Sequence, residues 1–530
     1  ETYFIAKATY QIELVPEAVT EISLSQIALD SYATNEEVDA FGNDYKVLVR
    51  TQAIQSTGFE DPETALDEGF GSDFPFANLT LVVGIDLKTA LHNLNGNADA
   101  PITDKVANVT FGLNEDYADK VEGYAGTLTS VEQDAAVYTY YLPNADNTAN
   151  YDIYVLADSA IYTPKNSNEL FMNMTALKKV GTTNLKLSRT ETMASMFNNC
   201  SALVDLDVSE WDVSNVNTMN RTFYNCCSLT ELAVGSWNVG NVTDMERTFS
   251  ICRGLTTLAV DNWDVRKVTT FQSFLSAAKA NKGDQGLLSI NVSNWETLSL
   301  TNMQSMFYGC GYLKELDLSG LEVDKVTTMY HMFADCYRIE KINFDGWNTA
   351  SLENIDGMFN DCTVLKTIDL SSFNTQKVVN MAQVFENCGL LEEIIGLNTW
   401  DTSNVNTMYE MFYRCSSLKE LDLSSFDTRN VLLALRMFAQ DTNVTSRPCK
   451  LTKIYVGDNW DMSNIPETNI GTNYENSSRE MFARCNSLVG GNNTTFDSTK
   501  TDKEYAIVDG KDGKPGYLTH ISAKPADPEQ

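Results

Sequence analysis

No run of about eighteen apolar residues occurs in the chain, so nothing in it reads as a membrane-crossing helix. Basic residues are scarce: 38 Lys and Arg face 72 Asp and Glu, for a formal net charge of −34. Nucleic acid is therefore excluded as an expected partner, because phosphate binding needs clustered cations. An acidic surface instead suits solubility and attraction of cations or basic partners. Histidine is limited to His92, His331 and His520, far apart in sequence. There is no His-Glu-x-x-His, no Gly-x-Ser-x-Gly, no phosphate-binding glycine loop and no Cys-x-x-Cys. Carboxylate pairs are so frequent that none marks an acid–base site. These absences point away from an enzyme.

What the chain has is a repeat. From Met306 to Cys336 it reads "MFYGCGYLKELDLSGLEVDKVTTMYHMFADC", opening and closing on Met-Phe-x-x-Cys twenty-six residues apart. The phenylalanine recurs at Phe197, Phe223, Phe249, Phe307, Phe333, Phe359, Phe385, Phe412, Phe438 and Phe482, with Leu275 filling a degenerate copy and Phe171 starting the series, about twelve copies in all. Each copy continues into a pattern such as "LKELDLS", whose alternating leucines predict one short inward-facing strand. Before the phenylalanine comes a segment such as "WDVSNVNTM"; all seven tryptophans, from Trp211 to Trp460, lie in the array. One copy cannot close a core, so neighbours must complete it. The expectation is an α/β repeat: a leucine-rich-repeat solenoid with one short parallel strand, an irregular loop and one short helical turn around Met-Phe per copy.

The units "WDTSNVNTMYEMFYRCSSLKELDLSSFDT" (400–428) and "WDVSNVNTMNRTFYNCCSL" (211–229) resemble the twenty-six-residue repeat of BspA-like leucine-rich-repeat bacterial surface proteins. "YDIYVLADSAIYTPKNSNELF" and "SLVGGNNTTFDSTKTDKEYAIVDGKDGKPGYLTH" resemble the units that open and close such arrays. The resemblance covers about 151–520. It implies a secreted or cell-surface protein of adhesin type and leaves the ligand open.

Domain boundaries are expected as a β-rich segment at 1–75, a small α+β module at 76–150, the solenoid with its terminal cap at 151–520 and a linker at 521–530. The strand-like runs before the array, among them "NLTLVVG", "NVTFGL" and "VYTYYLP", are expected to cap its open end or to project from the cell. The chain starts at Glu1, which reads as processing before this numbering, as after removal of a signal peptide. Any anchor is expected outside the segment.

Nine of the eleven cysteines sit three residues after the repeat phenylalanine or its equivalent; Cys227 and Cys449 are extra. Equivalent positions in a stack form a line, whereas zinc needs four ligands converging on one point, so a packed column of free thiols is expected. Cys449, in the insertion "DTNVTSRPC", is expected off the column, exposed or paired. The segment "DGKDGKPG" (509–516) is only a partial likeness of a calcium loop, so a glycine turn is expected and no cofactor is assigned. Outward strand positions suggest a binding face: Asp205, Asp207, Glu231, Glu315, Asp317, Asp369, Glu420 and Asp422, with Thr367 and Glu393 among them, stack into an acidic sheet face near Lys314 and Lys419. The expected function is binding or adhesion to a protein or glycan on another cell or matrix, through this face or the loops at 279–287 and 441–450. The alternative is a structural subunit of a surface layer or fibre, self-associating through strand edges.

Overall fold

The computed structural model describes residues 85–129, 136–277, 286–440, 448–467 and 477–525. The expected segment at 1–75 lies outside these, as do 279–285 and 441–447 of the two insertions and 526–530 of the linker.

The described chain opens with helix α1 (Leu87–His92). Asp86 caps it, accepting hydrogen bonds from Thr89 N at 2.9 Å and Thr89 Oγ1 at 2.5 Å. Its apolar face, Leu87, Ala90 and Leu91, is buried, and Tyr141 Oη donates to Ala90 O at 2.8 Å. Strand β1 (Val106–Leu113), helix α2 (Asn114–Val121) and strands β2 (Thr127–Thr129), β3 (Val137–Pro143) and β4 (Tyr151–Ala157) follow. Next come the short strands β5 (Ile161–Tyr162), β6 (Lys179–Gly181), β7 (Leu185–Lys186) and β8 (Asp205–Leu206). One six-stranded sheet runs in the order β2-β3-β4-β1-β6-β8, antiparallel through β2, β3 and β4 and parallel from β4 onward. The sheet thus crosses residue 150 without interruption, and its last strands belong to the first repeat copies.

From there the chain is a stack of coils. A continuous parallel thread of single bridges runs Asn166, Thr192, Thr218, Asp244, Thr270, Asn302, Thr328, Asn354, Asn380, Thr407 and Leu433, one residue per coil. Inside it the repeat residues form columns. Phe197, Phe223 and Phe249 stack with centroids 5.5 and 5.6 Å apart and planes within 5°. The series resumes with Phe307, Phe333, Phe359 and Phe385 at 5.6–5.7 Å. Where Leu275 replaces the phenylalanine, Phe274 meets Phe249 edge-on at 80° and fills the gap. Tryptophans stack likewise: Trp211 to Trp237 at 6.2 Å, Trp237 to Trp263 at 6.4 Å. Trp237, Trp263 and Trp347 each donate Nε1–H to a carbonyl of the preceding coil at 2.8–3.0 Å, so a large ring is buried without leaving its donor unpaired.

Two expectations about the coil are corrected. The Met-Phe corner is not helical. The residues two before and two after the phenylalanine take positive φ, as in Ser195 (57°) and Asn199 (66°), or His331 (52°) and Asp335 (61°). Alternate N–H groups then bond within the turn and across it: Met196 N to Met193 O, Phe197 N to Thr222 O of the next coil, Asn198 N to Ser195 O, Asn199 N to Tyr224 O. A helical turn would keep every N–H within its own coil and leave the neighbour unpaired. The sheet is also not continuous. Strands β9 (Glu315–Asp317) and β10 (Lys341–Asn343) pair, β11 (Thr367–Asp369) pairs with β12 (Glu393–Ile395), and β13 (Glu420–Leu423), β14 (Lys453–Val456) and β15 (Thr519–His520) form a third parallel group. Between β8 and β9 the described residues form no strand, although Leu232 and Leu258 still point inward.

The cysteine column has a hydrogen-bonding reason as well as a packing one. Cys200, Cys226, Cys336, Cys388 and Cys415 each aim Sγ at the phenylalanine carbonyl of the preceding coil, at 3.0–3.1 Å. All eleven cysteines are free, and ten are buried. Burial pushes column thiols such as Cys252 and Cys310 up, these two to about 12, whereas a hydrogen bond with Cys485 lowers Cys449 against its burial. Cys449 is not exposed and has no disulfide: its insertion returns it to the column, buried beside Cys415 and Cys485. Thiol titration of the native protein with an aromatic disulfide is therefore expected to modify only the half-buried Cys227, with the other ten reacting after denaturation. Fast reaction of more than one thiol in native buffer would show the column to be open.

Candidate functional site

The acidic sheet-face residues divide into two kinds. The aspartates at strand ends are turn formers. Asp207 accepts from Ser209 N at 2.9 Å, Asp317 from Ser319 N at 3.1 Å, Asp369 from Ser371 N at 2.9 Å and Asp422 from Ser424 N at 3.1 Å. Hydrogen bonds from these serines hold Asp207, Asp317 and Asp369 below the usual carboxylate range. For Asp422 burial pushes upward, but Lys524 at 2.8 Å and Ser424 outweigh it and the net shift is downward. Asp205 pairs with Lys179 at 2.6 Å, an exposed pair of small energetic value. Glu231, Glu315 and Glu420 are exposed and outward.

The face is less uniformly acidic than its outward carboxylates suggest. The coil "KINFDGW" places Lys341 and Asn343 opposite Glu315 and Asp317, with Asn343 donating to Asp317 at 3.1 Å. Farther along, Ile395 is 40% exposed, and Lys524 lies 5.5 Å from the Tyr455 ring. Of the segment read as a linker, Ile521–Ala523 form one 3₁₀ turn, so Lys524 folds back onto this face.

The Met-Phe edge of the stack holds chemistry that the strand pattern did not indicate. Gln383 donates to Glu386 at 2.5 Å and to Glu410 at 3.3 Å, and Asn360 donates to Glu386 at 2.6 Å. Asn387 bonds Asp361, and Arg436 lies 3.6 Å from Glu410 and 2.8 Å from Glu480. Three carboxylates from successive coils thus share one partly desolvated cluster. Burial, then the charges of Glu410 and Asp361, push Glu386 up to about 7, against the opposing pull of Gln383 and Arg414. The signal was available in the columns two before and one after the phenylalanine, where Gln383, Glu386 and Glu410 fall.

On the same edge, one part of the array carries aromatic rings. Tyr330 and His331 stack at 4.1 Å and 8°, and Tyr308 of the preceding coil lies 6.2 Å from His331 at 12°. Gly357 has φ of +60°, and a Cβ there would stand 2.2 Å from His331 Cδ2, so the imidazole requires that glycine. Beside it, Asp356 accepts from Asn380 at 3.0 Å through Oδ2, while Oδ1 has no hydrogen-bond partner. Burial lowers the pKa of His331 and raises that of Asp356.

In the terminal cap, segment 509–516 is organised around its first residue. Asp509 accepts from Asn492 N at 2.8 Å, Thr494 N at 3.0 Å, Thr494 Oγ1 at 2.6 Å and Gly516 N at 3.3 Å. These donors occupy both of its oxygens and hold its pKa down against burial. Asp509→Ala is expected to lower the stability of the cap by about 2 kcal/mol by leaving buried donors unpaired. The loss should appear in hydrogen exchange of residues 490–518, and unchanged exchange there would contradict it. Among the described residues, no group of three or more His, Cys, Asp or Glu side chains is placed to hold a metal.

Coils of one period, stacked in parallel around columns of identical side chains, define a repeat protein. The sequence profile of the family described as "Mycoplasma protein of unknown function, DUF285" matches residues 165–288, 284–396 and 365–480, more than half of the chain. The chain belongs to that family. No curated protein matches it. Among solved structures it is similar to the crystal structure of a TLR13–ssRNA13 complex at 12% identity, with a TM-score of 0.17, over 62% of this chain and 44% of that one. The chain therefore spans less than half the length of that neighbour.

Proposed function

We propose that the protein is a secreted or cell-surface binding protein of adhesin type, a leucine-rich-repeat solenoid in the manner of the BspA-like surface proteins it resembles. The observation that supports this is the division between the inside and the outside of the coil. Inward positions repeat nearly the same residue from coil to coil, as in the phenylalanine and cysteine columns. The position two residues before the phenylalanine, half-exposed in most coils, changes freely, from Ser195 to Arg221, His331 and Gln383. A scaffold constant inside and varied outside is a long display surface. The reading assigns the chain no covalent chemistry. It places a macromolecular ligand with basic groups on the sheet face, where Glu231, Glu315 and Glu420 are exposed outward carboxylates not engaged in strand-end turns.

Replacing these three glutamates by lysine changes the net charge of −34 by only six, so a large effect on binding marks the face rather than the overall charge. The full chain should retain a lysine-rich polypeptide at 150 mM salt, and the triple variant should bind it at least tenfold more weakly. Equal retention by both proteins would remove the sheet face from the reading. Light scattering on the same samples tests the structural alternative, since ordered filaments or sheets that grow with concentration would put a surface-layer subunit ahead.

A further inference from the structure

We infer that Tyr308, Tyr330 and His331 form a carbohydrate-binding site that takes a neutral sugar ring of a glycan. The inference deepens the binding reading above, at a different surface from the sheet face. The first argument is ring geometry. Three half-buried rings from two successive coils lie within 12° of parallel, with centroids 4.1 and 6.2 Å from the imidazole. The faces of aromatic rings are the negative end of their quadrupole, so they attract the weakly positive C–H groups on the flat face of a sugar.

The second argument is that the patch is built rather than scattered. Gly357 is needed for the position of the imidazole. One coil nearer, a Cβ on Gly311 would stand 2.3 Å from the Tyr337 ring, so aromatic rings lie over glycine backbone twice in this short stretch. The pairing of two rings is particular to this coil: the equivalent two positions hold Asn220 and Arg221, Glu246 and Arg247, or Tyr409 with Glu410 elsewhere.

The third argument is the polar rim. Asp356 has one oxygen committed to Asn380 and one without a partner, next to an imidazole whose pKa burial lowers against the pull of Asp356. A buried acceptor left unpaired is costly, and a sugar hydroxyl is a donor that would complete it. Asp335, Asp356 and Asp361 are close in the coil sequence to the rings, on a chain of net charge −34, which disfavours sulfated or sialylated chains. A few convergent polar groups beside an apolar platform is the usual composition of a small-ligand site.

The test is affinity electrophoresis of the full chain through native gels containing laminarin, mannan, xyloglucan or, as the anionic comparison, heparin. Retardation is expected in at least one neutral gel. Tyr308→Ala and His331→Ala should each weaken it roughly tenfold, the scale of one ring contact, while Tyr413→Ala, on a different coil, should not. Unretarded migration in all neutral gels, retardation by heparin alone, or retardation indifferent to both variants would each overturn the site. If a variant fails to fold, the wild type still decides. With three histidines in the chain, the imidazole signal of His331 in a carbon–proton NMR spectrum should move on adding the retarding polysaccharide, while that of His520 stays. Retention of the lysine-rich polypeptide without neutral-gel retardation would defeat the carbohydrate site and leave the sheet-face reading standing; the reverse pattern would do the opposite.

Discussion

Glu386→Gln is expected to stabilise the protein above pH 7 by about 2 kcal/mol and to change nothing below about pH 4, where both side chains are neutral. Glu386 sits against Glu410 and Asp361 from the neighbouring coils, with Gln383 and Asn360 donating to it and Arg414 attracting it from farther away. Burial and the two carboxylates raise it to about 7 from an ordinary value of 4.5. A carboxyl whose folded value lies above its unfolded value favours folding only while it is protonated. The wild type should therefore lose stability as pH rises from about 4.5 to 7 and then level off, with the sign opposite to that of a salt-bridged acid. The full shift corresponds to about 3 kcal/mol, and partial solvent access reduces it to about 2. Glutamine keeps an oxygen for Gln383 and Asn360 and turns an amide toward the neighbouring carboxylates. Urea denaturation of both proteins at pH 4, 5.5, 7 and 8.5 gives the difference directly. A constant difference between them across that range would mean that Glu386 titrates alike in the folded and unfolded protein, with no upward shift.

That cluster shows which parts of the molecule could be read from the sequence. The phenylalanine, cysteine and tryptophan columns were legible because each is set by the period alone, and the structure buries them as the period requires. The degenerate copy at Leu275 was placed correctly for the same reason, since Cys310 Sγ points to the Leu275 carbonyl. Cys449 was misread because an insertion breaks the count while leaving the stack intact, so position in space and position in sequence diverge. The Met-Phe corner was misread for a subtler cause. Spacings of three between Met193, Met196 and Asn199 suit a helical turn, and only the left-handed residues at Ser195 and Asn199 reveal that every second N–H leaves the coil. The acidic face was half legible. Its carboxylates alternate as a strand requires, but the Asp-x-Ser pairing that converts four of them into turn formers is a local signal, visible only when the serine two residues later is considered. The carboxylate cluster and the aromatic patch lie across coils, between residues 23 to 27 apart, and emerge only when the copies are read as columns.

Phe333→Ala is expected to lower stability by about 3–5 kcal/mol and to split unfolding into two steps. Phe333 is fully buried between Phe307 at 5.7 Å and Phe359 at 5.6 Å, with Phe344 edge-on at 5.9 Å. Removing its ring opens a cavity that stacked neighbours cannot close, because each is held by a backbone hydrogen bond to the coil that follows it: Phe307 N donates to Met332 O at 3.0 Å and Phe359 N to Val384 O at 2.9 Å. In a linear array each coil contacts only its neighbours, so a weak coil uncouples the segments on either side. Trp211, Trp237, Trp263 and Trp295 precede the lesion and Trp347, Trp400 and Trp460 follow it, so fluorescence of variants retaining tryptophans on one side reports each half. Phe333→Leu should cost about 1.5 kcal/mol or less and keep one transition, since the column already accepts a leucine at 275 with Phe274 packed against Phe249 beside it. A single transition for Phe333→Ala, with a loss below about 1 kcal/mol, would mean that the columns are ornaments on a stack held by its backbone bridges alone. Two transitions with the expected loss would place the cohesion of the array in the rings that the twenty-six-residue period keeps in line.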